Sequence, residues 1–197
     1  MSEIEQSTAE TGKTRSYVLK KTVVMVGMMG AGKTAVGRAL AQLLGVDFLD
    51  SDHEIEAAAN MTVPEIFARD GEPFFRAREA EVISRLLQGP PCVLSTGGGA
   101  FLAPQNRATI SHHGVAVWLN ADIELLWNRV KHRDTRPLLR TADPKATLTS
   151  LYNDRVPEYA KADMSVPCAP PVSIDKMALR VADALLSRPD VLEKTDA

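Results

Sequence analysis

The chain has 197 residues, enough to bury a substantial core as one domain without disulfides or a structural metal. Apolar residues make up 45% of it and charged residues 24%, as in ordinary globular proteins, and no apolar stretch approaches the roughly 20 residues of a membrane span. The formal net charge of −2 excludes a general attraction to nucleic acid or to an anionic membrane, so any anion site must depend on individually placed basic residues.

Both ends of the chain are predicted to lie outside the folded domain. The first residues are polar and lack periodicity, so 1–19 is predicted to be a disordered extension, and it has neither the basic start nor the apolar core of a secretory signal. Residues 189–197 are predicted to be a polar tail, which leaves one domain at 20–188. Cys92 and Cys168 lie in apolar surroundings without metal-ligand spacing, so we expect buried thiols in the reducing cytoplasm.

Strands and helices alternate through this domain. Strands are predicted at 20–26, 46–49, 92–94, 115–119 and 164–166. Helices are predicted at 33–44, from about 50 onward, and at 63–69, 73–87, 103–113, 123–131, 145–160 and 173–186. The alternation predicts an α/β fold, a three-layer sandwich whose five-stranded parallel sheet has helices on both faces and binds ligands at the carboxyl ends of its strands. The segment 132–143 is charged, lacks an apolar stripe and contains proline, which predicts a mobile lid.

A phosphate-binding loop (P-loop) is predicted between the first strand and the first helix. Residues 27–34 read Gly-Met-Met-Gly-Ala-Gly-Lys-Thr, which has the spacing G-x-x-x-x-G-K-[ST]. Such a loop turns its backbone N–H groups and a helix N-terminus toward one polyphosphate, while the lysine reaches the β- and γ-phosphates and the hydroxyl binds Mg²⁺. The predicted ATP-binding stretch is Gly30, Ala31, Gly32, Lys33, Thr34 and Ala35. The alternative is a glycine-rich turn that caps a helix and binds nothing.

Two aspartates follow the second strand, where phosphoryl transfer needs a carboxylate to organise the metal. Asp50 is the candidate for Mg²⁺, and Asp52 is placed to face the acceptor. The alternative is that Ser51 or Asp52 only caps the next helix.

Two more features qualify as parts of a binding site. Gly97, Gly98 and Gly99 follow a buried strand and allow the backbone to approach a ligand closely, although a flexible turn would read the same way. Arg76 follows two phenylalanines on a helix and indicates a pocket for an anion, whereas Arg78 and Glu79 are explained by a solvated helix surface. Arg136 and Arg155, taken alone, are predicted to be surface charges.

Taken together, these motifs resemble the shikimate kinase family over residues 22–186. The resemblance is carried by the P-loop, Asp50-Ser51-Asp52, Gly71-Glu72 with Phe75-Arg76, the triple glycine, Arg136-Pro137-Leu138-Leu139 and Arg155, which occur in the family's order and spacing. It implies a P-loop kinase that transfers the γ-phosphoryl group of ATP, with Mg²⁺, to the 3-hydroxyl of shikimate in chorismate and aromatic amino acid biosynthesis. It also implies a monomer that binds neither nucleic acid nor membrane, with substrate-binding helices at about 50–88.

The resemblance also implies roles for individual residues. Lys33, Asp52 and Arg136 would be catalytic, Arg136 closing over the phosphates from the lid, and Arg129 would pack against adenine. Shikimate would be held by Asp52, Arg76, Arg155 and the backbone of Gly97, Gly98 and Gly99, and the metal by Thr34 and Asp50. Two positions depart from the family pattern: Ala35 replaces a common second hydroxyl residue, and Glu158 stands before Tyr159 where an apolar residue is common.

Three other functions remain open at this point. A gluconate kinase would share the P-loop, the lid and an anionic acceptor, but the acidic pair and triple glycine together disfavour it. A nucleotide-dependent switch would carry Asn-Lys-x-Asp and Asp-x-x-Gly motifs, which the sequence lacks. A relative that binds substrate without turnover is disfavoured because every reactive position is filled by a competent residue.

Overall fold

The polypeptide folds around a central parallel sheet in the computed structural model, which describes residues 16–132 and 137–195. The strands are β1 (Ser16–Leu19), β2 (Thr22–Val26), β3 (Phe48–Asp50), β4 (Val93–Ser95), β5 (Gly114–Ala121), β6 (Met164–Cys168) and β7 (Leu192–Thr195). Five of them form the parallel sheet in the order β3-β4-β2-β5-β6. Strand β2 lies at the centre, where Val24 pairs with Leu94 of β4 and Ala116 of β5. The predicted fold class is confirmed, and each predicted strand of this sheet begins and ends within two residues of the observed one.

Helices cover both faces of the sheet. They are α1 (Lys33–Leu44), α2 (Ser51–Ala59), α3 (Val63–Asp70), α4 (Glu72–Leu87), α5 (Pro104–His113), α6 (Ile123–Val130), α7 (Pro144–Tyr159) and α8 (Ile174–Leu185). Helix α1 packs against α8, and α4 packs against α5. None of the helices in the part of the chain that the structure describes is long and apolar enough to cross a membrane.

The segment α2–α4 has a small core of its own. Ile55, Ile66 and Phe75 form a buried cluster that is separate from the main core around the sheet. Capping residues fix the ends of these helices. Thr62 and Glu65 make a capping box at the start of α3, and Gly71 separates α3 from α4. This segment carries Asp52 and Arg76, which meet the loop after β4 at Gly97 and Gly99.

The two termini form a second, two-stranded sheet that the sequence analysis did not predict. Strand β1 pairs antiparallel with β7, and Leu19 lies opposite Leu192. The structure therefore differs from the predicted extension at 16–19 and from the predicted tail at 192–195, because these residues bury Leu19 and Leu192 together. Residues 1–15 lie outside the described part of the chain.

The predicted lid at 132–143 is described in part. Residues 133–136, which include Arg136, lie outside the described residues. Pro137–Leu139 forms one 3₁₀ turn, in which Leu139 is buried in the main core. Cys92 and Cys168 are buried free thiols, as predicted.

Candidate active site

A cavity of about 480 Å³ opens at the carboxyl ends of the central strands. It is lined by the P-loop, by both aspartates after β3 and by the first part of the glycine-rich loop after β4. The predicted site residues in its wall are Gly30, Ala31, Gly32, Lys33, Thr34, Ala35, Asp50, Asp52, Gly97, Gly98 and Arg129. Strands of a parallel sheet end at one edge, so three separate sequence motifs meet in one cavity.

The P-loop has the backbone that its glycines were predicted to provide. Gly27, Gly30 and Gly32 all have positive φ, at 141°, 80° and 97°. Gly32 directly precedes α1 and has no side chain to cap it, so the first N–H groups of the helix are available to an anion. The Lys33 ammonium donates to the carbonyl oxygens of Gly27 and Met28, at 2.8 and 2.9 Å, and so lies across the loop.

Arg129 of α6 holds the P-loop by two of its carbonyl oxygens. Its Nη1 donates to the carbonyl oxygens of Gly30 and Ala31, at 3.0 and 3.1 Å. These two bonds use carbonyl oxygens of the loop and none of its N–H groups. Arg129 thus contacts the P-loop and lines the same cavity, while its packing against adenine stays a prediction.

Asp50 is the N-cap of α2, which corrects the expectation that Ser51 or Asp52 has this role. Its Oδ1 accepts from the N–H groups of Asp52 and His53, at 3.0 and 3.3 Å, because Asp50 is the last extended residue before the helix. Its Oδ2 lies 3.5 Å from the Thr34 hydroxyl. Capping and a second role are therefore compatible, and the paired oxygens of Asp50 and Thr34 are the hard donors that Mg²⁺ prefers.

Asp52 has the most perturbed carboxyl group of the cavity. Burial, together with the negative charge of Asp50, raises its pKa from 3.8 to about 6, against the opposing effect of Lys33. Its Oδ1 is buried and has no hydrogen-bond partner in the described part of the chain. A buried acceptor oxygen that faces a cavity is ready to receive a donor from a ligand.

Arg76 of α4 is fixed by a buried carboxylate. Its Nη1 lies 2.8 Å from Oε2 of Glu79, whose side chain is only 1% exposed, and its Nε and Nη2 contact the exposed Glu72 at 3.2 Å. The expectation that Glu79 belongs to a solvated surface is therefore wrong. The guanidinium packs closely against Gly99, where its Cζ would lie 2.7 Å from an added Cβ atom.

Arg155, the second basic residue of the predicted acceptor site, meets the same glycine-rich loop from α7. Its Nη1 would lie 3.3 Å from a Cβ atom on Gly98. Tyr159, one turn further along α7, donates its hydroxyl to the carbonyl oxygen of Gly98 at 2.5 Å. Burial raises the pKa of this phenol, while Arg155 acts in the opposite direction by charge and by a hydrogen bond. Arg76 and Arg155 therefore approach neighbouring glycines, whereas Arg136 lies outside the described residues.

Two of these supporting residues, Glu79 and Tyr159, were not predicted from the sequence. A signal for Glu79 exists: Phe75, Glu79, Ile83 and Leu87 recur at four-residue spacing and form the buried stripe of α4. Tyr159 was considered only as the neighbour of Glu158. Nothing in the sequence around Tyr159 indicates that its hydroxyl binds Gly98, 61 positions away.

Comparisons with known proteins agree on one family. The family model described as shikimate kinase matches residues 29–185. The chain is 67% identical to the shikimate kinase of Ruegeria pomeroyi, over 98% of this chain and 99% of that protein. It is 61% identical to the shikimate kinase of Cereibacter sphaeroides, over 93% and 92% of the two chains.

Solved structures give the same result. Shikimate kinase from Acinetobacter baumannii in complex with shikimate superposes with a TM-score of 0.79 at 39% identity, over 85% of this chain and 93% of that chain. A gluconokinase from Sinorhizobium meliloti superposes with a TM-score of only 0.53 at 18% identity, over 86% and 98%, and therefore shares the fold alone. The chain belongs to the shikimate kinase family.

Proposed function

We propose that the protein is a shikimate kinase, which transfers the γ-phosphoryl group of ATP to the 3-hydroxyl of shikimate and releases shikimate 3-phosphate and ADP. The observation that carries this proposal is that one cavity joins a P-loop to a buried, partnerless carboxylate oxygen on Asp52, with two arginines at the adjoining glycines. The reaction belongs to chorismate and aromatic amino acid biosynthesis.

The P-loop end of the cavity binds ATP. The N–H groups of Gly30, Ala31 and Gly32 and of the start of α1 surround the phosphates, and Lys33 exchanges a carbonyl contact for the β- and γ-phosphates. Arg129 keeps the loop in this shape. Ala35 has only a methyl group, so the side chain at this position cannot donate a hydrogen bond to the nucleotide phosphates as a hydroxyl would.

The metal partner of ATP in this proposal is Mg²⁺. Thr34 and Asp50 would hold it, since their oxygens lie 3.5 Å apart and Oδ2 of Asp50 is not used for capping. When bound, Mg²⁺ neutralises charge on the β- and γ-phosphates as the phosphoryl group is transferred.

The glycine-rich end of the cavity binds shikimate. Arg76 and Arg155 bind its carboxylate, because a guanidinium donates two parallel hydrogen bonds to the two carboxylate oxygens. The backbone of Gly97, Gly98 and Gly99 lines the pocket, since side chains there would occupy the space of Asp52, Arg155 and Arg76. Oδ1 of Asp52 accepts a hydrogen bond from a ring hydroxyl.

Asp52 also orients the hydroxyl that attacks the γ-phosphorus. With a pKa of about 6 it is ionised at neutral pH and can take the proton that the hydroxyl loses on transfer. A loose phosphoryl-transfer transition state demands little base catalysis, so orientation is the larger part of this role. Arg136, from the lid, completes the proposal by stabilising charge on the transferred group.

We further propose that the protein acts as a cytoplasmic monomer whose only substrates are Mg·ATP and shikimate. Both cysteines are buried free thiols, as suits a reducing compartment. The cavity is built from one chain, with the ATP end and the acceptor end both supplied by the same sheet edge.

The proposal is tested by ADP release from Mg·ATP with shikimate, gluconate or water as acceptor. We expect turnover that depends on shikimate, and loss of that turnover in Lys33→Ala with little change in Lys131→Ala, an exposed lysine at the end of α6. Turnover with gluconate alone, or equal ADP release without any acceptor, would reject the assignment of the acceptor.

A further inference from the structure

The turn that leaves the triple glycine is held by the start of α5. Residues Ala100–Leu102 form a 3₁₀ turn directly after Gly99. The buried Asn106 donates Nδ2 to the carbonyl oxygen of Ala100 at 2.9 Å. Arg107 donates Nη1 to the carbonyl oxygens of Phe101 and Leu102, at 2.9 and 2.8 Å. Helix α5 therefore satisfies three carbonyls in succession and sets the path of the chain out of the glycine-rich loop.

The same guanidinium binds the helix that carries Arg155. Nη1 of Arg107 lies 2.7 Å from Oε2 of Glu158 in α7, and the two side chains are only 15% and 31% exposed. Glu158 immediately precedes Tyr159, whose hydroxyl donates to the carbonyl oxygen of Gly98. Two adjacent residues of α7 are thus joined to opposite ends of one short loop, at Gly98 and, through Arg107, at Phe101 and Leu102.

This arrangement connects the two halves of the acceptor site. Arg155 lies one turn before Tyr159 on α7, and Gly98 lies in the loop that both Tyr159 and the Arg107–Glu158 pair hold. Arg155 belongs to α7 and Gly98 belongs to the glycine-rich loop. A change in the distance between α7 and the loop would therefore move Arg155 relative to Gly98. A half-buried ion pair that also satisfies carbonyls can enforce that distance, unlike an exposed pair in water.

We propose that Arg107 and Glu158 are positioning residues for the acceptor site. Their pair holds α7 against the glycine-rich loop at the spacing that suits an acceptor carboxylate on Arg155 and an acceptor ring over Gly98. The inference rests on the proposed function, since it concerns the same acceptor. The ATP end of the cavity is held separately, by Arg129 on the P-loop, so the effect of the pair is confined to the acceptor.

Four variants separate positioning from general stability. Arg107→Met keeps an unbranched apolar stem and removes the donors, whereas Arg107→Lys returns a cation with three donors. Glu158→Ala removes the carboxylate that binds Arg107, and alanine itself favours the helical conformation of α7. Lys161→Ala is the matched control, because Lys161 is exposed and binds Glu158 from the adjoining turn without joining α7 to the loop.

The measurement is the KM for each substrate and kcat, taken well below the melting temperature of every variant. We expect Arg107→Met and Glu158→Ala to raise the KM for shikimate by about five- to tenfold, with the KM for ATP changed by less than about twofold. Arg107→Lys restores the KM for shikimate to within about twofold of the parent value, and the double variant Arg107→Met/Glu158→Ala is no worse than the more impaired single variant. Lys161→Ala leaves both KM values unchanged.

The possible outcomes distinguish this proposal from the one on which it rests. If the parent chain phosphorylates shikimate while both disrupting variants keep its KM, the positioning role is rejected and the function stands. Equal increases in the KM for both substrates, or a lower melting temperature with unchanged KM, assign the pair to stability alone and also reject the role. Absence of shikimate turnover in the parent chain rejects both proposals.

Discussion

The carboxylate of Asp52 lies against Gly97, with both of its oxygens 3.0 Å from the position of a Cβ atom on that glycine. The two residues follow different strands: Asp52 lies in the first turn of α2, after β3, and Gly97 lies in the loop after β4. Glycine is therefore required at position 97 because it leaves space for the carboxylate of Asp52. Its backbone conformation does not require glycine, since its φ is not in the left-handed region.

A methyl group at this position should displace the carboxylate and leave the fold intact. We expect Gly97→Ala to lower kcat/KM for shikimate by about tenfold, because a misplacement well below 1 Å already reduces the rate of an oriented reaction. The matched control is Gly89→Ala, where the nearest atom to a new Cβ is the carbonyl oxygen of Leu86 at 3.4 Å. Unchanged shikimate kinetics in Gly97→Ala, or equal losses in both variants, would show that the contact with Asp52 has no role in the reaction.

The titration of Asp52 should appear in the pH dependence of the reaction. Its pKa is raised to about 6, first by burial and then by the charge of Asp50, so the carboxylate that accepts the hydroxyl proton is lost as the pH falls below 6. We expect kcat/KM for shikimate to fall about tenfold per pH unit below that midpoint and to level off above it. The profile is measured between pH 5 and 8 at saturating ATP. A flat profile across this range would contradict a need for the ionised form.

The same pKa predicts a trade-off between activity and stability. Because the pKa in the folded state lies above the ordinary value of 3.8, folding favours the protonated form, and the protein loses stability as the pH rises from about 4 to 6 and stays at that lower level above 6. Asp52→Asn lacks this loss, so we expect it to gain on the order of 2 kcal/mol in the free energy of unfolding at pH 8 while losing turnover.

Denaturant unfolding at two pH values checks this expectation. The gain from Asp52→Asn should shrink toward zero at pH 4, where the parent carboxyl is protonated in the folded state. Asp154→Asn, an exposed change on α7, should alter the free energy of unfolding by less than about 0.5 kcal/mol at either pH. A variant less stable than the parent at pH 8 would mean that the charged form of Asp52 is not disfavoured by its surroundings.

Arg76 is predicted to have two separable roles. In Arg76→Ala, the buried Glu79 loses its partner, so we expect about 3 kcal/mol lower stability in addition to a large increase in the KM for shikimate. Arg76→Lys keeps a cation for Glu79 but cannot form two parallel hydrogen bonds with a carboxylate, so it should recover most of the stability while the KM for shikimate stays at least about tenfold raised.

Steady-state kinetics and thermal melts of both variants test these roles, with Arg78→Ala as control. Arg78 lies on the same helix, is exposed and pairs with Glu81. Its removal should leave both KM values and the melting temperature almost unchanged. A parallel rise in the KM for ATP in the Arg76 variants would remove Arg76 from the acceptor site.

Local sequence signals predicted the main sheet and the meeting of three motifs at one of its edges. The P-loop glycines, the acidic pair and the triple glycine each follow a strand, and a parallel sheet necessarily brings the ends of its strands together. The residues that support these motifs were not predictable in the same way. Glu79 and Tyr159 acquire their roles from burial and from partners on other elements, which a local pattern records only weakly. Asp50 became the N-cap because β3 extends one residue further than its apolar run.

The small terminal sheet shows the same limit, and it supplies a test of stability that does not involve the active site. Strand β1 is four residues long and its partner β7 is more than 170 positions away, so no local sequence pattern predicts the pairing. Leu192 of β7 is 1% exposed and packs in the main core, whereas Val18 of β1 is 45% exposed on the same sheet.

We expect Leu192→Ala to lower the free energy of unfolding by about 2–4 kcal/mol through loss of buried contacts, and Val18→Ala by less than about 1 kcal/mol. Both variants should keep the KM values of the parent, because the terminal sheet does not line the cavity. Equal and small losses from the two substitutions would show that β7 contributes nothing to the core, and the pairing of the termini would then be incidental to the stability of the domain.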